Sequence, residues 1–359
     1  MTIRSAGRHR KSKPARRSSL GSRRWVAMLV PVLAVTTATT VVGAVSTASA
    51  ADNPNSTVTV GGDPQGVAVD ADGKHVYVAS YADNALRVID TKTQQMVGSI
   101  HVGANPLGVA VDPDSRHAFV TNFSENSVSV IDTATGKVIK NVTVGQNPAS
   151  VAVFPRSHYA LVTNFYSGTV SVINSDTLKV IGAVPVGVHP DGVAIDPQGE
   201  LAYVANSGSN TVSVIDIKTQ KLVRTLLVGR APQKVAIDPD GKHIYVTNYG
   251  DNTLSVINAP TNLDLAYIQD YLLKLKNLKV NSVIPVGINP RGLAVSKDSH
   301  HAFVVNVGED TMSVIDTEKS TLISTSYVGF SPDQVAVAPD DTAYVTSRGD
   351  GTVTVIRPS

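Results

Sequence analysis

The sequence contains no cysteine, which excludes disulfide bridges, thiolate nucleophiles and Cys-ligated zinc or iron–sulfur centres. Charge is sparse, with Asp, Glu, Lys and Arg at 17%, and aromatic residues reach only 5%. Hydrophobic residues at 42% still give the composition of a folded chain rather than a disordered one. No G-x-S-x-G elbow, P-loop or H-E-x-x-H helix occurs, so the short motifs of serine hydrolases, nucleotide-binding proteins and zinc peptidases are missing.

Acidic residues are absent from residues 1–50, where nine Lys or Arg residues are concentrated. An uncharged run follows them, from Trp25 to the exit Ala48-Ser49-Ala50. A basic head, an apolar middle and a small-x-small exit predict a signal peptide over residues 1–50, and an extracytoplasmic protein, free or associated with the cell surface. Ser22–Trp25, "SRRW", fits a twin-arginine export signal, although the residues after it do not continue that pattern. The competing reading is an uncleaved anchor, because Trp25–Ser46 is long enough to span a bilayer; that segment is the only membrane contact the sequence suggests. Subtracting the nine leader cations from 31 leaves 22 basic against 29 acidic side chains, a net charge of −7 for residues 51–359. An acidic chain makes charge-driven nucleic-acid binding an unfavoured expectation.

Against these absences stands a repeat. Val-Gly occurs at 60–61, 102–103, 144–145, 186–187, 228–229, 286–287 and 328–329, spaced by 42 residues except for one interval of 58. Each Gly is followed three residues later by Pro, and each Pro four residues later by Ala. Seven copies of one unit are present. The fourth copy reads as four short strands, "GVAID", "LAYVAN", "TVSVID" and "LVRTLLVG". Asp-Pro-x-Gly, Asn/Gly and Asp-x-x-Thr turns separate such strands. Units of this length with four β-branched strands predict an all-β fold, a seven-bladed β-propeller of four-stranded blades. The last copy lacks a fourth strand, while Ser56–Val60 precedes the first copy unassigned. The N-terminal strand is therefore expected to complete the last blade and close the ring, leaving a single domain over 51–359.

The tetrapeptide "YVTN" at Tyr245–Asn248, with its variants "FVTN", "LVTN", "YVAN", "FVVN", "YVTS" and "YVAS", resembles the YVTN β-propeller repeat family. The resemblance covers about residues 56–357 and implies the propeller fold in a mostly secreted or surface-exposed group. Propellers related to that group include lactonases, a streptogramin lyase, a haem-binding nitrite-reductase domain and a periplasmic single-strand DNA binder. Fold does not choose among such activities.

The variable positions suggest where a site would lie. Loops entering the first strands and loops joining second to third strands should share one rim. After the repeat Asn or its substitute come Tyr81, Phe123, Phe165, Ser207, Tyr249, Val307 and Arg348; after the prolines come Gln65, Leu107, Ala149, Asp191, Gln233, Arg291 and Asp333. The candidate ligand-binding set is Tyr81, Phe123, Phe165, Tyr249 and His189, with Arg230, Lys234, Arg291 and Arg348 as anion contacts. Aromatic faces and Arg forks suit sugars, bases or planar molecules.

The partner expected is thus a small molecule, a glycan or a protein, bound by a monomeric binding or scaffold module. A lactonase-like hydrolase or lyase using the same rim is the alternative, and single-strand nucleic-acid stacking the third. No catalytic residue, metal ligand or cofactor is assigned, and the expectation leans away from an enzyme. His75, His117, His243 and His301 share one repeat position on the opposite rim and read as consensus. The long interval inserts sixteen residues, 58 − 42, at about 260–279. Leu263–Leu278 is expected to form a helix on that opposite rim, its stripe Ile268, Tyr271, Leu272, Leu275 and Leu278 covering blade five or docking a partner.

Overall fold

The computed structural model describes residues 56–154, 158–260 and 268–357; the basic leader and its apolar run lie outside them. Among the described residues no helix is long and apolar enough to cross a membrane. Twenty-eight strands among the described residues form seven four-stranded antiparallel sheets. In the first blade Pro64–Val69, His75–Ser80, Ala85–Asp90 and Gln95–His101 pair in chain order. The last blade takes Pro332–Val337, Ala343–Ser347 and Thr352–Ile356 from the C-terminal end and Ser56–Thr59 from the N-terminal end. Ser56 pairs with Val355 and Thr59 with Thr352, so the ring closes as expected. First strands neighbour one another around a closed circuit and surround the central channel.

The sequence period accounts for the packing. Seven apolar clusters occupy the seven interfaces between blades, each built from adjacent sheets. Second and third strands are covered on both faces, which is why "YVTN" and "VSVI" segments carry so little charge. Fourth strands face outward; Thr321–Tyr327 is exposed along its whole length.

Each letter of the tetrapeptide has a physical task. The aromatic first residue fills an interface: Tyr203 and Tyr245 are fully buried. Val is core. The Thr hydroxyl ties one blade to the next, with Thr163 Oγ1 donating to the Asp191 carbonyl at 2.6 Å, Thr247 to Arg291 at 3.0 Å and Thr346 to Gln65 at 2.7 Å. The Asn amide donates to two hydroxyls of the third strand, as Asn248 Nδ2 does to Thr253 at 3.0 Å and Ser255 at 2.9 Å. The Val-Gly glycine makes room for that Asn: a β-carbon on Gly229 would lie 2.5 Å from Asn248 Cγ. Gly229 N–H donates to Asn248 Oδ1 at 3.1 Å. The invariant Gly and the Asn present in five of the seven blades, distant in sequence, are one packing unit.

The insertion forms a helix, α1, over Ile268–Asn277; the rest of the expected Leu263–Leu278 segment before Ile268 lies outside the described residues. Leu275 and Leu278 are buried in the apolar cluster between blades four and five, and Arg224 donates to the Lys276 carbonyl at 3.3 Å. Leu272 departs from the expected stripe, being 56% exposed. It lies about 60° around the helix from Leu275 and about 120° from Leu278, at the margin of the face that meets the cluster.

Candidate functional site at the channel mouth

All seven prolines start a first strand, and between each Pro and the residue three later the pairing with the second strand shifts register. Such a bulge frees the two intervening residues from the ladder and re-aims their side chains. The residue before each Pro is left-handed in every blade: Asp63, Asn105, Asn147, His189, Ala231, Asn289 and Ser331 have φ between 48° and 56°. Its carbonyl accepts from the backbone N–H of the variable rim residue, as in Tyr81 to Asp63 at 3.1 Å and Phe165 to Asn147 at 3.0 Å. The two loop families therefore share one rim and are hydrogen-bonded to each other.

The product is a depression of about 460 Å³ over the channel, to which every blade contributes. Tyr81, Leu107, Phe123, Ala149 and Phe165 line it from blades one to three; Asp191, Ser207, Gln233, Tyr249, Arg291 and Arg348 line it from blades four to seven, and Gln65 joins from blade one. Of the nine residues expected, Tyr81, Phe123, Phe165, Tyr249, Arg291 and Arg348 meet here. Phe123 and Phe165 approach at 6.5 Å between ring centres. His189 lies behind Phe165, stacked on it at 4.4 Å and 2°, with Tyr166 edge-on to both. Lys234 faces the channel below. Arg230 is on the outer side of the rim, 73% exposed and paired with Asp251 at 2.5 Å.

The expectation of free anion contacts needs correction, because every one of these cations already has a carboxylate. Lys234 Nζ meets Asp191 at 2.6 Å, Arg291 meets Asp333 at 2.6 Å, and Arg348 Nε meets Asp63 at 2.7 Å with Asp333 at 3.8 Å. Asp333 first, and Asp191 further off, hold the Arg291 guanidinium above its ordinary pKa against the opposing effect of burial. Three acids balance three bases around the mouth and its neck. Two polar atoms are left over: Gln65 Oε1 and Arg291 Nε are buried without a hydrogen-bond partner. Gln65 itself is 3% exposed, its Nε2 committed to Asp63 at 3.1 Å. Asp63 was not among the residues singled out from sequence, although its place before Pro64, in register with Asn105 and Asn147, was a usable signal.

On the opposite rim the repeated His residues are turn elements. Asp70, Asp112 and Asp238 accept from the backbone N–H and face Nδ1 of His75, His117 and His243, at 2.9, 3.0 and 2.8 Å to the ring nitrogen. Burial is the largest influence on Asp112 and Asp238 and pushes both above the usual carboxylate range. Among the described residues no group of three or more His, Asp or Glu side chains is placed to hold a metal ion.

Two protein families match parts of the chain: the lactonase family of seven-bladed β-propellers over residues 53–160, and the YNCE-like β-propellers over residues 149–241. No curated protein matches it. Among solved structures, a hydrazine synthase chain of Kuenenia stuttgartiensis superposes with a TM-score of 0.74 at 21% identity, covering 83% of this chain and 96% of that one. The β-propeller domain of Cps50 (Swd1) from Myceliophteria thermophila gives 0.73 at 11% identity, over 85% and 100%. A functionally unknown protein from Desulfotomaculum acetoxidans gives 0.64 at 16%, over 74% and 86%. At such identities the likeness speaks for fold alone. Together with the seven-fold repeat and the ring closed by its N-terminal strand, these matches make the chain a seven-bladed β-propeller that is similar over part of its length to the lactonase and YNCE-like propellers.

Proposed function

We propose that this chain is an exported binding module that takes a small ligand into the mouth of its channel. The observation that carries the reading is the lining itself. Every blade turns bulged or left-handed backbone toward one depression, and the residues placed there vary while the frame around them repeats. A pocket of about 460 Å³ falls within the range of small-molecule sites, roughly 300–1,000 Å³. Half-buried aromatics clustered on one face supply apolar contact area, and the ion-paired side chains opposite supply orientation.

The test is a thermal-shift screen of the purified chain against neutral sugars, lactones, planar aromatics and oligonucleotides, repeated on Phe123→Ala. A ligand bound only by the native state raises the melting temperature. The reading requires a class of ligand whose shift is lost or much reduced in the variant. Shifts of equal size in both proteins would refute the mouth as the site.

The lactonase-family match over residues 53–160 supports a second reading, a lactone hydrolase working at the same rim. The lining contains neither His nor Glu, and its carboxylate Asp191 is committed to Lys234. A general base at this mouth would have to leave its ion pair first. Lactone hydrolysis that disappears in Asp191→Asn would favour this reading; turnover unaffected by that change would count against it.

A further inference from the structure

Resting on that reading of the mouth, we infer that its ligand is an uncharged saccharide. Three features of the lining point the same way. The first is electrostatic. Asp63, Asp191 and Asp333 are matched by Lys234, Arg291 and Arg348 in direct ion pairs, so an incoming anion or cation would meet a charge of its own sign beside each partner. A neutral, hydrogen-bonding ligand meets no such repulsion and disturbs none of the pairs, whose rupture would strand a poorly solvated charge.

The second feature is the pair of unused polar atoms. Gln65 Oε1 needs a donor and Arg291 Nε needs an acceptor, and both are covered in the unliganded mouth, so a ligand meets them as these two side chains turn toward it. Hydroxyl groups serve as either; a carboxylate or phosphate offers acceptors only, and a hydrocarbon offers neither. The third is the division of the lining. Tyr81, Phe123 and Phe165 make one side apolar and aromatic, and on the other Tyr249 stands among polar groups. A pyranose has the same two sides, a C–H face that packs on aromatic rings and a belt of hydroxyls that hydrogen-bonds to planar amide, carboxylate and guanidinium groups. Nucleic acid fits less well, since its phosphates would approach a propeller of net charge −7.

The experiment is binding of the purified chain to cello-, chito-, malto- and manno-tetraose, with tetragalacturonate and oligothymidylate as anionic arms. Titration calorimetry is run on wild type, Tyr81→Ala, Phe123→Ala and Gln65→Ala. A neutral oligosaccharide should bind, with affinity reduced about tenfold by either aromatic truncation and also reduced by Gln65→Ala. Raising salt from roughly 0.05 to roughly 0.5 M should leave it within about twofold, because no net charge is neutralised. Unliganded melting temperatures of the variants report that each is folded. Binding of an anionic arm alone, lost in the aromatic variants, would overturn the saccharide assignment and leave the mouth as the site. No binding by any arm, or binding that none of the three variants alters, would overturn both.

Discussion

Replacement of Ala231 by Asn tests the geometry of the rim most directly. Ala231 stands before Pro232 with φ of 48°, in the left-handed region where its β-carbon is crowded. Three other blades place Asn at this position, and there the side chain also reaches the neighbouring blade. Asn105 Nδ2 donates to the Tyr81 carbonyl at 3.3 Å, Asn147 to Phe123 at 3.1 Å and Asn289 to Tyr249 at 3.3 Å. The equivalent acceptor for residue 231 is the carbonyl of Ser207, which lines the mouth. Asn tolerates the left-handed conformation better than Ala, worth roughly 0.5–1 kcal/mol, and the new hydrogen bond adds about 0.5–1.5 kcal/mol. Fixing the amide side chain offsets roughly 0.5 kcal/mol, leaving a gain of about 0.5–2 kcal/mol. With an unfolding entropy of about 2.1 cal/mol/K per residue over roughly 300 residues, that corresponds to a rise of about 1–3 °C in melting temperature. Calorimetry of wild type, Ala231→Asn and Ala231→Gly separates the two contributions, since Gly relieves the backbone without supplying a donor. The order Asn above Gly is required. An Asn variant no more stable than the Gly variant would refute the blade-to-blade bond.

Thr163→Val keeps the shape of the side chain but removes the hydroxyl that donates to the Asp191 carbonyl; a loss of about 1–3 kcal/mol is expected in denaturant unfolding, and a change under roughly 0.5 kcal/mol would remove the Thr from its assigned task. Asp196 offers a pH test. Burial, the largest influence, raises its pKa despite backbone donors such as Glu200 and Leu201, so the native state holds this proton to a higher pH than the unfolded chain. Its stabilising contribution is complete below the unfolded value and is lost as pH rises through the folded one. The melting temperature of wild type minus that of Asp196→Asn should therefore fall between roughly pH 3 and pH 7; a difference that is flat or grows over that range would contradict the assignment.

Much of this was legible in the chain because a repeat prints its own frame seven times. The strand order, the closure by Ser56–Thr59 and the shared rim follow from period, turn residues and one missing strand. The Val-Gly and Pro positions were visible as invariants and the Asn as a near-constant, but their reason was not: Gly229 and Asn248 are an interlocked pair only once the strands lie side by side. Helix α1 was legible as an interruption of the period, and of its expected stripe Leu275 and Leu278 meet the core while Leu272 does not.

The charges were a different case. Lys234, Arg291 and Arg348 read as available cations because their partners lie at other points in the sequence, 43, 42 and 285 residues away. Those separations are about one repeat, or the full turn of the ring. A charge's neighbours depend on which blades touch, and for Arg348 and Asp63 on the ring being closed. Local pattern, set by backbone geometry and the covering of strands on both faces, was thus determined by the sequence on its own. The neutrality of the mouth, the unused atoms of Gln65 and Arg291, and the placement of His189 behind Phe165 were decided by tertiary structure, since side-chain electrostatics and hydrogen bonding are settled by neighbours in space.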